Sequence, residues 1–211
     1  NQYDLLLSRL FEAQDRLFYE KNHSEKEQIK RSIRSIIDNI VLLNLGEGIN
    51  PAIVEKYNEV KNQPSPPFFL WQLEFARVFK EKGGFDVVIG NPPYVKVQNI
   101  DQNQVSILKR KYHSASGKFD LYVLFMEQAF NLICKNGNIA FIQPHRFINV
   151  DYGNKIRELL VKLKGLKKFI HFGDAQIFDA ATTYTGVFFF SYENKKILYS
   201  VVNSKNLNDI K

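Results

Sequence analysis

An α/β fold preceded by an N-terminal helical hairpin is what this 211-residue sequence predicts. Three observations carry that expectation. Apolar residues recur at helical spacing in two successive stretches near the start. Short apolar runs in the second half alternate with amphipathic stretches of helical length, the pattern of strand–helix–strand units with a right-handed crossover. Glycines and prolines then punctuate the strand ends.

The first helix is read over residues 2–21, where Tyr3, Leu6, Leu10 and Leu17 lie near one stripe. After Asn22-His23, Ser24 stands three residues before Glu27, a capping-box spacing. Ile29, Ile33, Ile36, Ile40 and Leu43 follow as a second stripe, with Gly46 as the expected stop. Residues 1–46 are therefore expected to form a hairpin, and residues 47–67 a Pro- and Gly-rich connector with a short helix at 51–60 and a stiff Pro64–Pro67 stretch. Phe68, Trp71, Phe75 and Phe79 recur at three- and four-residue spacing, which predicts a short helix whose rings enter a core and pack the hairpin onto the sheet.

Val87 to Ile89 reads as a strand buried on both faces, ended by Gly90 and two prolines. Residues 95–117 are polar and basic and read as a long loop. Phe119 through Cys134 predicts a buried helix ended at Asn136-Gly137, with Asp120 suited to its N-terminus. A strand at 139–142 stopped by Pro144, a helix from Asp151 closed at Gly165, and strands at 167–172 and 183–190 complete the core. Residues 196–211 read as one more possible strand and an exit segment.

Composition narrows the function. Hydrophobic residues make up 45% and charged residues 24%, an ordinary globular balance. No run is long enough to cross a bilayer, and no signal peptide is evident, so no membrane partner is expected. The lone cysteine, Cys134, excludes an internal disulfide and leaves too few thiolates for a zinc site, and no metal is expected. A reducing, cytoplasmic setting fits. The chain begins at Asn1 and its only methionine is Met126, so it reads as a piece of a longer polypeptide. Residues 1–90 carry 12 basic and 13 acidic side chains, against 17 and 9 in residues 91–211. That asymmetry suits a polyanionic partner, although a solvated basic surface gives the same count. Lys96, Lys109, Arg110, Lys111 and Lys118 are candidates for contact with a phosphate backbone, or else decorate a solvated excursion.

Asn91-Pro92-Pro93-Tyr94 holds the chemistry. Just past a strand's carboxyl end, where open α/β sheets bind ligands, Asn91 offers an amide and Pro92 a carbonyl with no competing N–H. Tyr94 adds a flat ring. Together they suit a planar, amino-bearing base. A proline-stiffened loop exit is the plainer alternative for the first three residues alone.

This stretch resembles the fourth motif of the S-adenosylmethionine-dependent amino-methyltransferases. Phe68 to Phe79, Gly83-Gly84-Phe85-Asp86, Ser116 to Tyr122 and Gly137 to Pro144 are similar to restriction–modification adenine methyltransferases of the type IIG kind. The resemblance covers about Pro67 to Tyr192. It implies a partial Rossmann-like methyltransferase sheet, the later strands only, ending in an antiparallel hairpin, with residues 68–195 as the second half of a catalytic domain. It implies methyl transfer from S-adenosylmethionine to an adenine amino group in double-stranded DNA, with Asn91, Pro92 and Tyr94 catalytic. Tyr94 would stack on one face of a flipped base and Phe178 on the other, although Phe178 equally suits a core cap. Asn at position 91 favours adenine over cytosine, while the same four residues also occur in enzymes acting on RNA bases and protein glutamine. A non-catalytic DNA-binding module with a vestigial site is the other class left open.

One departure matters. No glycine-rich loop after a strand precedes residue 87. Most of the cofactor site, the first strands and the target-recognition region are therefore expected in a missing part of the same polypeptide, the fragment alone is expected to be inactive, and the strand at 87–89 is expected to present an open edge.

Overall fold

The computed structural model describes residues 1–46, 50–63, 66, 68–173 and 184–202. Two compact units divide the chain, Asn1–Glu81 and Lys82–Lys211.

In the first unit, α1 (Gln2–Tyr19) and α2 (His23–Leu45) form the expected antiparallel pair. Leu6 and Leu10 meet Ile29, Ile33, Ile37 and Ile40 in a closed apolar seam. Ile37 replaces Ile36 in the buried row and Leu43 is exposed, because a stripe of 3.6-residue period drifts around so long a helix. The cap differs too: Asn22, not Ser24, accepts from the N–H groups of Ser24 and Glu25 at 2.9 and 3.3 Å. Asn is as good a cap as Ser and stands two residues earlier. Gly46 ends α2 at a φ of 82°. Then α3 (Pro51–Lys61) opens with Asn50 as cap and Pro51 in the first turn.

The aromatic stripe is not one helix. It splits into α4 (Trp71–Glu74) and α5 (Ala76–Lys82) at Phe75. The Gln14 amide donates to the Leu73 and Glu74 carbonyls at 2.8 and 2.9 Å, satisfying acceptors at the end of α4. Leu70, Leu73 and Ala76 line the hairpin seam, whereas Phe68, Trp71 and Phe75 keep part of their rings in solvent.

The second unit is a five-stranded mixed sheet with α-helices. Its strands are β1 (Phe85–Gly90), β2 (Ile133–Pro144), β3 (Leu166–His171), β4 (Thr185–Phe190) and β5 (Leu198–Val201), in the order β1-β2-β4-β3-β5. β1 and β2 are parallel, β4 runs antiparallel to both β2 and β3, and β5 is parallel to β3. The antiparallel pairing of β3 with β4 is as expected, and β5 extends the sheet beyond it. The core lies on the face of Ile139, Phe141, Phe188, Phe190 and Phe169, together with α7 (Leu121–Leu132) and α8 (Asn154–Leu163). Phe169 and Phe188 stack at 4.2 Å, which is possible because Gly186 leaves room for the Phe169 ring.

Three expectations fail here. Val87 and Ile89 are 56% and 78% exposed, not buried. β1 is one of the two outer strands among the described residues, and only Val88 turns toward the core. The 95–117 stretch is not a loop: α6 (Gln102–Lys111) occupies it, capped by Asp101 and held by buried Val105 with Ile100, Leu108 and Tyr112 against the core. Four apolar anchors among Gln, Asn and Lys are too sparse to read as a stripe. Finally, α7 ends at Leu132 and β2 begins at once. Gly84 lies so close to the Leu132–Cys134 backbone that a Cβ would stand 2.5 Å from the Leu132 carbonyl oxygen, which seats β1 directly against this turn.

Candidate active site at the carboxyl rim of the sheet

Register brings the chemistry to one edge. Gly90 pairs with Phe141, so β1 ends where β2 continues toward Gln143 and Pro144. Because β4 reverses between them, β3 also ends on this rim, at His171, and β4 begins there at Thr185. This is the ligand-binding side of an open sheet.

Asn91 leaves β1 exposed, and its amide makes no hydrogen bond to a described residue. Pro92 is buried, and its carbonyl likewise takes no hydrogen bond from a described residue. Pro93, with no N–H, holds the pair extended. Tyr94 is half-buried, and its hydroxyl donates to the Ile142 carbonyl at 3.1 Å. Burial pushes its phenol pKa up, so it stays a neutral donor. A free amide oxygen, a free carbonyl and a tethered ring can accept hydrogens from an amino group and cover the ring that bears it.

The loop behind them is pinned. Leu121 N–H donates to the Val95 carbonyl at 2.8 Å and Val97 N–H to the Phe119 carbonyl at 2.9 Å. Lys96 and Asp120 thus form an isolated antiparallel bridge. Lys109, Arg110 and Lys111 form the last turn of α6, and with Lys96 and Lys118 they are exposed. None of the five enters an ion pair among the described residues, although the Lys111 ammonium lies over the Tyr112 ring at 5.2 Å and Arg110 donates to the Ser106 carbonyl at 3.3 Å. Phe178 lies outside the described residues.

Sequence reasoning passed over two groups on this rim and the side-chain partner of a third. Gln143 is fully buried, with its amide on the Met126 sulfur at 2.9 Å and its Oε1 unpaired among the described residues. The His145 and His171 rings lie 4.7 Å apart, and burial, then His171, pull the His145 pKa down. Asp120 accepts from the Tyr152 hydroxyl at 3.0 Å. Each needed a strand register to bring it here, which spacing alone does not supply. A separate trough of about 570 Å³, lined by Phe147, Leu160, Val161 and Ile197 with Lys164 and Lys196, includes none of Asn91, Pro92 and Tyr94. Among the described residues no three His, Cys, Asp or Glu side chains cluster as metal ligands, and no helix is long and apolar enough to cross a membrane.

The chain is 43% identical over 113 residues to the type II restriction enzyme and methyltransferase RM.Eco57I of Escherichia coli, covering 52% of this chain and 11% of that protein. It is 26% identical over 151 residues to the type II methyltransferase M.BstVI of Geobacillus stearothermophilus, covering 68% of this chain and 26% of that one. It thus spans between about a tenth and about a quarter of these relatives. Among solved structures, the type IIL restriction-modification enzyme MmeI in complex with DNA aligns at a TM-score of 0.47 and 19% identity, over 69% of this chain and 22% of MmeI. The sequence model of the Eco57I restriction-modification methylases runs through residues 5–178, across the strand, the pinned loop and the rim that hold Asn91, and by that match the chain belongs to this family.

Proposed function

We propose that this chain carries the target-base side of a DNA adenine methyltransferase of a restriction–modification system. The observation behind the proposal is the pairing of an unengaged Asn91 amide and Pro92 carbonyl with a tethered Tyr94 ring at the carboxyl end of β1. An adenine amine is a poor nucleophile because its lone pair is delocalised into the ring. The Asn91 oxygen and the Pro92 carbonyl accept the two amine hydrogens and favour the pyramidal nitrogen that forms as the lone pair is drawn out. That stabilises charge developing in the transition state. Tyr94 stacks on one face of a base flipped from the duplex, with Phe178 proposed for the other. Lys96, Lys109, Arg110, Lys111 and Lys118 contact the phosphate backbone of double-stranded DNA.

S-adenosylmethionine, when bound, supplies the electrophilic methyl group. This chain's residues fit the acceptor side of that chemistry. Among the described residues no strand is followed by a Gly-x-Gly turn for the donor side, so the glycine-rich loop and the ribose-holding carboxylate are proposed to lie in a further part of the polypeptide, together with the target-recognition region. The chain by itself is then expected to be inactive.

The test joins the chain to a cofactor-binding half and measures transfer of labelled methyl groups into duplex DNA. Transfer into adenine that is abolished in Asn91→Ala supports the proposal. DNA binding with no transfer from the joined protein favours a non-catalytic module, and transfer that survives Asn91→Ala removes that residue from its role.

A further inference from the structure

Asp120 occupies the N-cap of α7, yet its carboxylate makes no capping hydrogen bond. Its one side-chain hydrogen bond among the described residues runs across the fold instead. Its Oδ2 accepts from the Tyr152 hydroxyl at 3.0 Å, the Tyr152 and Tyr122 hydroxyls lie 3.0 Å apart, and the Phe147 N–H donates to the Tyr122 oxygen at 3.1 Å. The Tyr152 hydroxyl spends its hydrogen on Asp120, which fixes the direction of the bond behind it. Tyr152 donates to Asp120, Tyr122 donates to Tyr152, and the Tyr122 oxygen receives the backbone N–H. Each of the three linking oxygens is used.

The two ends of this chain of bonds belong to different strand exits. Asp120 is bridged through backbone to residues 95–97, the continuation of Asn91–Tyr94. Phe147 and Tyr152 lie in the short turns that follow β2. Arg157 braces the same turns from α8 by donating to the Phe147 and Val150 carbonyls. Tyr122 is fully buried, where phenylalanine would fill almost the same volume without a hydroxyl to satisfy. Volume alone therefore does not account for tyrosine at both positions.

Resting on the function proposed above, we infer that Asp120, Tyr152 and Tyr122 are positioning residues, a hydrogen-bonded tie that holds the Asn91–Tyr94 segment in register with the segment leaving β2. The tie sets how the target amine meets Asn91. It acts through the backbone bridge and touches no reacting atom.

Two measurements test it. In the chain itself, amide exchange at Val97 and Leu121 is compared between wild type, Tyr152→Phe, Asp120→Ala and Asp120→Asn. Loss of the tie is expected to speed exchange at those two amides about tenfold in Tyr152→Phe and Asp120→Ala, with β2 and β4 unchanged. Asp120→Asn keeps an acceptor oxygen and is expected to restore most of the protection. In the protein joined to its cofactor-binding half, the same variants are expected to lower kcat about tenfold with DNA affinity within twofold, and to reduce the fluorescence gain of 2-aminopurine placed at the target base.

Unchanged exchange at Val97 and Leu121 overturns the inference. So does faster exchange across the whole sheet with a matching fall in melting temperature, since the residues would then be ordinary core. If Asn91→Ala retains full transfer, the function proposed above fails, and the tie is judged on amide exchange alone.

Discussion

Tyr94 separates tethering from stacking. Its hydroxyl makes one hydrogen bond, to the Ile142 carbonyl, while its ring remains half-exposed at the rim. Tyr94→Phe removes the bond and keeps the ring. A neutral hydrogen bond of this kind contributes about 1 kcal/mol, so the equilibrium constant for holding the ring in place falls about fivefold. Tyr94→Ala removes the ring as well, and a lost base–aromatic stack costs about 1–3 kcal/mol, roughly 5- to 150-fold. In the joined protein, methyl transfer is measured at saturating cofactor with the DNA concentration varied, and thermal unfolding serves as the control. Tyr94→Phe is expected to lose up to about fivefold in kcat/KM, and Tyr94→Ala substantially more. Equal losses in the two variants would refute the division of labour. Wild-type transfer by Tyr94→Ala would remove the ring from the base-binding role altogether.

Three further outcomes follow from the geometry. A Cβ at Gly186 would stand 2.4 Å from the Phe169 ring and 2.8 Å from the Ile170 carbonyl, so Gly186→Ala is expected to destabilise the second unit by about 3 kcal/mol in chemical denaturation. Reversing Lys109, Arg110 and Lys111 to Glu should weaken DNA binding and lower the slope of log affinity against log salt by up to about 3; an unaltered slope takes α6 off the DNA. His145 is held below its ordinary value of 6.5 by burial and by His171, so the fold favours its neutral form while the unfolded chain takes up a proton first. The stability it contributes is present above pH 6.5 and is lost as pH falls below that value, and His145→Gln should flatten this acid limb of the melting-temperature profile.

What could be read from the sequence was what short-range pattern encodes. Ile29, Ile33 and Ile40 declared the hairpin seam through their spacing, and Gly90-Asn91-Pro92 declared a strand exit through backbone chemistry. The run at Val87–Ile89 was apolar enough to be a strand, but an apolar run does not say what covers it, and here two of its side chains face solvent. α6 escaped notice because its anchors are few and its cap, Asp101, is a common loop residue. Asp120 was legible as the start of a helix, where it does stand, but its side-chain partner, Tyr152, is 32 residues away across β2 and the turns that follow it. Tertiary pairings of that kind leave no local trace.

Among the described residues the sheet has two unpaired margins with apolar side chains on show, Val87 and Ile89 on β1 and Leu198, Tyr199 and Val201 on β5. The alternation of pairings makes these two outer strands run in the same direction. One molecule's first strand can therefore lie beside another's last in parallel, and the contact regenerates itself with each added copy because it never closes on a two-fold axis. A lysine at Ile89 would put a charge on that exposed margin, the ordinary guard against edge-to-edge pairing.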